Sequence, residues 1–324
     1  MTFDATGPQA LLQELAIDSD GPYVVAIGGG HGLSKTLRAV LTYAGSVDAI
    51  VSVSDDGGSS GRLVPGLDIP PPGDIRKCLL ALTPDESIWK QMFAYRFDGA
   101  DVAGHSLGNL ILAALSEIEG GFEQALVRAE GLLKASGSVV PVCNEHLTLA
   151  ADTENGVIEG QVRIQQYRGR VDSLDVLPGS AAASPRAISA IESADQIILG
   201  PGSLMTSTIA ALRVPGVTEA VNTSKAQLVY VSNLITQDGE TFGMDGMGHL
   251  DALLRLTGVR PPGAIVANDH VIDVAKPLHS VAFDAEIVAT YGADLTTADL
   301  VDESQDWPSH DSQKLGNVLS TITR

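Results

Sequence analysis

A glycine-rich segment, GGGHGL at residues 28–33, follows the first apolar run of the chain. Glycines let a backbone approach a phosphate closely, and a helix that begins there offers unpaired N–H groups with partial positive charge. The segment departs from the dinucleotide fingerprint, which needs glycine where Leu33 stands, and from the P-loop, which needs glycine where Ser34 stands. We therefore expect an anion-binding loop and do not assign an ATPase.

A second polar loop follows the second apolar run, extends from Ser54 to Arg62 and contains the adjacent carboxylates Asp55 and Asp56. Adjacent carboxylates at the end of a strand can hold Mg²⁺ together with water, or one of them can bond a ribose or substrate hydroxyl. Aspartate, glycine and serine also suit a plain turn. A metal or hydroxyl site and a turn therefore both remain open for this loop.

Three prolines at residues 70–72 precede Gly73 and Asp74 and predict the start of a helix capped by Asp74. Arg76 and Lys77 would then lie in its first turn, where the helix dipole disfavours cations by about 0.3–1 kcal/mol. An anion bound nearby would relieve that conflict, and exposure to water would reduce it.

The segment GHSLG at residues 104–108 matches the G-x-S-x-G nucleophile elbow of serine hydrolases. The helix that should follow Ser106 fits the pattern. The strand that should precede it does not, because residues 97–103 contain Asp98, Gly99 and Asp101. We expect Ser106 to begin a helix beside Asn109 rather than to act as a nucleophile.

A fourth loop, GPGS at residues 200–203, follows another apolar run and precedes a helix. Ser203 suits the N-cap position of that helix. The free amides of the same helix start could instead hold a second phosphate.

The elements that must position these loops follow from the apolar pattern. Short runs of strand length alternate with stretches of helical spacing, which is typical of a parallel sheet covered on both faces. Residues 145–176 instead alternate like antiparallel strands, with a hairpin turn at residues 152–156. The predicted parallel strands are residues 23–27, 47–53, 139–142, 196–199, 228–231 and 264–267.

This pattern predicts an α/β fold: a Rossmann-like three-layer arrangement with a mostly parallel sheet and a small antiparallel insertion. We expect an acidic N-terminal leader with a short amphipathic helix at residues 1–21. A single α/β domain should then span residues 22–324, with the β insertion at about residues 145–176.

Charge and hydropathy restrict the class of partner. The chain has 324 residues with 20 basic and 40 acidic side chains, a net charge of −20. This balance argues against a nucleic-acid partner and against an anionic membrane surface. No apolar run approaches the ~18 residues of a spanning helix, and the first residues lack the basic region of a secretory signal. We expect a cytoplasmic protein.

Taken together and in order, six segments resemble the gluconeogenesis factor family (YvcK-like): GGGHGLS, VSDDGGSSGRL, PPPGDIRKCLLAL, GHSLGNLILAAL, LGPGSLMTS and VSNLITQDGET. The resemblance runs from about Tyr23 to about Asp269. Its sister is the 2-phospho-L-lactate transferase family (CofD-like), in which a phospholactyl group passes from a nucleotide-activated donor to a deazaflavin alcohol with Mg²⁺.

The resemblance implies a Rossmann-like protein that binds UDP-sugars such as UDP-N-acetylglucosamine. It also implies a role in cell shape and wall synthesis during growth on gluconeogenic carbon sources. Asp55 and Asp56 correspond to the family's acidic pair near metal or substrate. Where many relatives have threonine after the glycine triplet, this chain has His31. Either the imidazole replaces any hydroxyl contact to phosphate, which would alter the ligand or its affinity, or His31 points outward.

The ligand-binding and phosphate-binding set that we predict lies in these six segments. Its members are Gly28, Gly29, Gly30, His31, Gly32, Asp74, Arg76, His105, Asn109, Gly200, Pro201, Gly202, Ser203 and Asn233.

Two classes of function follow. The first is a regulator that binds a UDP-sugar or another nucleotide diphosphate without turnover and acts through protein partners, as a monomer or a homodimer. The second is a Mg²⁺-dependent phospholactyl-type transferase, whose acceptor pocket the insertion would line. Aromatic residues make up only 4% of the chain, which leaves few groups to stack on a deazaflavin and favours the regulator.

Overall fold

The computed structural model describes residues 21–67 and 69–322. The predicted leader helix at residues 1–21 lies outside this part of the chain, apart from Gly21. The division into a leader and a single domain stays a prediction. Among the described residues, no helix combines the length and the hydrophobicity that crossing a bilayer requires.

Within residues 21–67 and 69–322, ten strands form two sheets. In chain order they are β1 (Tyr23–Gly28), β2 (Ser46–Val51), β3 (Ser138–Pro141), β4 (Thr148–Thr153), β5 (Gly156–Glu159), β6 (Val171–Leu177), β7 (Gln196–Leu199), β8 (Gln227–Val231), β9 (Ala264–Asn268) and β10 (Asp294–Ala298).

The helices connect these strands. They are α1 (Gly30–Val40), α2 (Gly58–Leu67), α3 (Pro72–Leu82), α4 (Ile88–Ala94), α5 (Leu107–Glu119), α6 (Phe122–Leu133), α7 (Gln161–Gln165), α8 (Pro185–Ser193), α9 (Ala210–Leu212), α10 (Val217–Thr223), α11 (Gly246–Thr257), α12 (Ala285–Thr290) and α13 (Ser312–Leu319). A π-helical segment, Leu204–Ile209, runs directly into α9.

The main sheet has seven parallel strands in the order β10-β9-β8-β7-β1-β2-β3. The strands β2 and β3 follow one another on one side of β1. The chain later returns to place β7 on the other side of β1, and β8, β9 and β10 follow in order beyond it. The strand order therefore reverses between β1 and β7. In open α/β sheets such a reversal leaves a crevice at the carboxyl ends of the two strands, where ligands bind.

The central strands are buried on both faces. Val24 and Ile27 of β1 have no exposed surface, and all four residues of β7 are buried. Helices cover the sheet, with α1 packed against α3 and α13 and with α5 packed against α6. Continuous burial is the reason that these strands read as unbroken apolar runs. The predicted α/β fold is confirmed.

A small antiparallel sheet in the order β5-β4-β6 forms the predicted insertion. Thr153 pairs with Gly156 at the end of the hairpin, as the turn signal predicts. The helix α7 follows β5 and was not predicted. It contacts the π-helical segment and brings the insertion against the main sheet's loops.

Candidate functional site

The loops after β1 and β7 meet where the strand order reverses. Backbone contact between them is close: a Cβ atom on Gly32 would overlap the carbonyl of Pro201 and lie 2.7 Å from Gly202 Cα. Thr36 in α1 is buried and donates from Oγ1 to the carbonyl oxygen of Gly200 over 3.1 Å. The predicted glycine loops therefore form one structural unit, and glycine at residue 32 serves this packing.

The helix α1 begins inside the first glycine loop. Gly29 is its N-cap and provides no side-chain hydrogen bond, and Gly30 has a φ of 67°, a left-handed conformation that suits glycine. The first N–H groups of a helix have no partner within the helix. In α1 these groups, which include those of His31 and Gly32, lie at the carboxyl edge of the sheet.

The second glycine loop has its amides engaged. Gly200 N donates to Ile27 O over 3.2 Å, and Gly202 N donates to Asn233 Oδ1 over 2.9 Å. Asn233 Nδ2 in turn donates to Gly202 O over 2.9 Å. Asn233, which follows β8, therefore fixes the loop through both backbone polar groups of Gly202, its N–H and its C=O. In this structure its contacts belong to the protein backbone.

Glu240 lies at the N-terminus of the π-helical segment. Its Oε2 accepts hydrogen bonds from Thr206 N over 3.1 Å and from Thr206 Oγ1 over 3.2 Å, and only 1% of the residue is exposed. Burial raises the pKa of Glu240 to about 7, against the opposing effect of these donors. An internal carboxylate thus occupies the helix start at which the sequence suggested a phosphate.

The other carboxylate oxygen, Glu240 Oε1, and the amide oxygen Gln237 Oε1 are buried without a hydrogen-bond partner in the described part of the chain. Ser203 does not cap the segment with its side chain, and its hydroxyl instead accepts from Gln165 Nε2 and Gln237 Nε2. The sequence analysis predicts no role for Glu240, although the residue lies in VSNLITQDGET, one of the six segments that carry the resemblance.

The two adjacent aspartates after β2 have different hydrogen-bond partners. Asp56 accepts from Gln161 N over 2.8 Å and from Val162 N over 3.1 Å, so it caps α7. Asp55 accepts from Gly57 N over 3.0 Å and points toward α3, where a Cβ atom on Gly73 would lie 2.8 Å from Asp55 Oδ2.

In the structure Asp55 lies near Asp74, and from here on these two residues, rather than Asp55 and Asp56, are called the acidic pair. Burial raises the pKa of Asp55 above its usual range, and the negative charge of Asp74 raises it further. Within residues 21–67 and 69–322, no group of three or more histidine, cysteine, aspartate or glutamate side chains could hold a metal ion. Any divalent ion here would depend on this pair, water and a ligand.

Asp74 lies against the first glycine loop. A Cβ atom on Gly29 would be 2.8 Å from Asp74 Oδ2, and Asp74 Oδ1 accepts from Lys77 Nζ over 2.8 Å. The prediction that Asp74 caps α3 is wrong, because Pro71 is the N-cap and provides no side-chain bond. The three prolines place the helix start earlier, so Asp74 falls within the first turn, and the prediction that Arg76 and Lys77 lie in that turn is also wrong, because they follow in the second.

Two further polar residues of α1, His31 and Lys35, have distinct surroundings. His31 is exposed, and its pKa is lowered first by partial burial of the ring and then by Lys77. Lys35, which stands where the P-loop pattern G-x-x-x-x-G-K-[ST] has its lysine, forms an ion pair with Asp302 at 3.2 Å. This lysine is therefore directed toward the C-terminal segment.

A chain of polar side chains links α3, α2 and α5. Arg76 Nε donates to Asn109 Oδ1 over 2.9 Å, and Asn109 Nδ2 donates to Ser59 Oγ over 3.0 Å. Ser59 Oγ also lies 3.0 Å from His105 Nδ1. All four side chains are buried, so three predicted site residues and Ser59 form one connected network.

Ser106 is the N-cap of α5. Its Oγ accepts from Asn109 N over 3.3 Å, and the residue has no exposed surface. The predicted role of Ser106 as a helix-start residue is confirmed. His105 directs its Nδ1 to Ser59, so no base activates Ser106 through that atom.

The family described as 2-phospho-L-lactate transferase CofD matches residues 24–304. A gluconeogenesis factor from Bacillus subtilis is 38% identical over 315 residues, which cover 94% of this chain and 98% of the relative. One from Halalkalibacterium halodurans is 36% identical over 305 residues, with 91% and 95% covered. A crystal structure of a UPF0052 family member from Bacillus halodurans has a TM-score of 0.87 at 34% identity, covering 93% of this chain and 99% of that one.

Proposed function

Because the chain belongs to the gluconeogenesis factor family, which carries the CofD domain, we propose that it binds a UDP-sugar such as UDP-N-acetylglucosamine. It acts as a regulator of carbon metabolism, cell wall synthesis and cell shape during gluconeogenic growth. We place this role in the cytoplasm and expect it to be exerted through a protein partner.

The observation that carries the proposal is the uncapped start of α1 at the crevice between β1 and β7. Gly29 gives the helix start no side-chain partner, and the strand order reverses at this point. A diphosphate there would accept hydrogen bonds from the first-turn amides and interact favourably with the helix dipole.

The second glycine loop has a supporting role in this proposal. Its Gly202 amide donates to Asn233, and Glu240 occupies the start of the π-helical segment. We therefore assign the diphosphate to residues 28–32 and assign residues 200–203 to the wall that packs against them. His31, exposed on the first turn of α1, is in place to contact the ligand with its imidazole.

Mg²⁺ fits the acidic pair. Asp55 and Asp74 lie close enough that the charge of one raises the pKa of the other, and a divalent cation would offset this repulsion. Mg²⁺ in proteins usually takes one or two carboxylates together with waters and ligand phosphates. Asp55 and Asp74 would hold the ion, and it would neutralise charge on a diphosphate bound beside Gly29.

A transferase of the 2-phospho-L-lactate type is the second candidate. The match to the CofD family and the acidic pair beside the glycine loop favour it. Ser106 is a buried helix cap and not a nucleophile in such an enzyme, in which we expect direct transfer between donor and acceptor. Consumption of a nucleotide-activated phospholactyl donor by the purified protein would distinguish this enzyme from a regulator.

Calorimetric titration tests the proposal. The protein is titrated with UDP-N-acetylglucosamine, GDP and NADH, each with and without Mg²⁺. We expect one UDP-sugar per chain and weaker binding of the other two ligands. Absence of UDP-sugar binding under both conditions would reject the proposed ligand class.

A further inference from the structure

Arg76 is a buried cation whose hydrogen-bond partners are neutral. Only 7% of the residue is exposed, its Nε donates to Asn109 Oδ1, and its Nη1 donates to Phe93 O over 3.3 Å. Asp74 is the acidic group that acts on it electrostatically, and Asp74 is itself paired with Lys77. A buried charge without a paired counter-charge is costly.

Two more arginines bind the backbone next to His105. Arg62 Nη2 donates to Ala103 O over 2.8 Å, and Arg96 Nη1 donates to Gly104 O. Both are exposed, and the structure gives neither of them an aspartate or glutamate partner among the described residues. Arg96 also lowers the pKa of Arg76. We call Arg62, Arg76, Arg96 and His105 the basic cluster.

The basic cluster is unusual for this chain, which carries a net charge of −20. Both exposed arginines lower the pKa of the His105 imidazole, after the larger effect of its burial, so positive potential accumulates at this place. The three arginines donate to neutral oxygens. Each guanidinium has five N–H groups, so each keeps N–H groups that can bind a further acceptor. Planar guanidinium groups match carboxylate and phosphate oxygens in geometry.

The network behind the cluster fixes its donors in advance. Ser59 and Asn109 join His105 to Arg76, so the imidazole and the buried guanidinium hold their orientations. The cluster also borders the first glycine loop, because Asp74, two residues before Arg76 on α3, lies against Gly29, and Arg76 acts on His31 of α1. An anion at the cluster would therefore be a neighbour of a diphosphate bound at residues 28–32.

We propose that the basic cluster binds a second anionic group, a carboxylate or a phosphate, separate from the nucleotide diphosphate. This inference rests on the proposed function for the position of the diphosphate. It narrows the ligand class to a UDP-sugar that carries an acidic group on its sugar, or to a UDP-sugar bound together with a free inorganic anion.

Matched ligands test this inference. UDP-glucuronate and UDP-glucose differ in one carboxylate, and inorganic phosphate added to UDP-glucose supplies a free anion. By calorimetry we expect the wild type to bind UDP-glucuronate at least about tenfold tighter than UDP-glucose if the acid belongs to the sugar. We expect phosphate to tighten UDP-glucose binding instead if the anion is separate.

The double variant Arg62→Gln/Arg96→Gln should lose whichever preference the wild type shows and keep its UDP-glucose affinity within about twofold. Arg128→Gln, which removes an exposed arginine paired with Glu119, should retain the preference. The inference is overturned if the wild type shows neither preference, or if the double variant keeps the preference unchanged.

The basic cluster can still be tested if the protein binds no UDP-sugar and the proposed function fails. In that case inorganic phosphate alone should raise the melting temperature of the wild type and of Arg128→Gln more than that of the double variant. Equal stabilisation of all three proteins, or none, would reject the basic cluster as an anion site independently of any nucleotide.

Discussion

The carboxylate of Asp74 lies against Gly29, so closely that a Cβ atom added there would be 2.8 Å from Asp74 Oδ2. This contact ties the first turn of α3 to the start of α1. It also explains why the loop has glycine at a residue whose extended φ of −172° any amino acid could adopt. The requirement for glycine at residue 29 is therefore steric.

Gly29→Ala should weaken both the fold and ligand binding. The new methyl group meets Asp74 and also Ser207 Oγ, 3.0 Å away, and overpacking of this kind costs about 1 to 3 kcal/mol. Denaturant unfolding measures the loss of stability, and titration with UDP-N-acetylglucosamine measures the loss of affinity.

Gly131→Ala is the matched control. Gly131 lies in α6 with no atom within 4 Å of its added Cβ, and alanine there should stabilise the helix by about 0.5 to 1 kcal/mol. Equal stability changes in the two variants would show that the contact between Gly29 and Asp74 is not restrictive.

Glu240 should make the stability of the protein depend on pH. Its pKa is raised from 4.5 to about 7 in the folded state, so the folded protein binds the proton more tightly than the unfolded chain. This contribution to stability is complete below the unfolded pKa and is lost as the pH rises through the folded one. Relative to Glu240→Gln, the wild type should lose about 2 to 3 kcal/mol of unfolding free energy between about pH 5 and about pH 8.

The comparison of these two proteins isolates Glu240 from the other carboxylates. Glu130 also has a pKa raised to about 7 by burial, and it contributes equally to wild type and variant. Parallel pH profiles for the two proteins would contradict the assignment of a raised pKa to Glu240.

Substitutions of Asp55 and Asp56 should have different effects, the first on Mg²⁺-dependent ligand affinity and the second on stability. Asp55→Asn removes a carboxylate that burial and Asp74 destabilise, so it should leave the melting temperature nearly unchanged while it removes the Mg²⁺-dependent part of ligand affinity. Asp56→Ala removes the cap of α7 and should cost about 1 kcal/mol of stability. Calorimetry with and without Mg²⁺ measures the effect on ligand affinity, and thermal unfolding measures the effect on stability. If Asp56→Ala removed the Mg²⁺-dependent affinity and Asp55→Asn lowered the stability, the two roles would have to be exchanged.

Ser106→Ala should lower stability by about 1 kcal/mol through loss of the α5 cap and leave UDP-sugar affinity within about 1–2 kcal/mol of wild type. A serine-reactive fluorophosphonate should leave the mass of the wild type unchanged, because Ser106 has no exposed surface. Stoichiometric labelling of Ser106 would restore the hydrolase interpretation.

Much of the sheet was predictable because buried parallel strands are continuous apolar runs. The strands β1, β7, β8 and β9 were predictable for this reason. The edge strand β10, Asp294–Ala298, was missed, since its sequence DLTTA is polar and its residues are only partly buried. The helix α7 was missed because its five residues are too few to show a helical period.

The candidate site was predictable as a set of loops but not in the contacts between them. The type of residue identified Asp55, Asp56 and Asp74 as carboxylates near a ligand. Only the fold shows that Asp56 faces α7 and that Asp55 faces Asp74, because these partners are distant in sequence. Glu240 likewise reaches Thr206 from another loop, and no spacing rule connects the two residues.

The central claim is that a UDP-sugar places its diphosphate on the first turn of α1. Hydrogen–deuterium exchange, read by mass spectrometry with and without UDP-N-acetylglucosamine, tests it most directly. We predict slower exchange in residues 28–34 on addition of the ligand, with little change at Gly202 and Thr206, whose amides already donate to Asn233 and Glu240. Unchanged exchange in residues 28–34 at a ligand concentration that saturates the protein would contradict the claim.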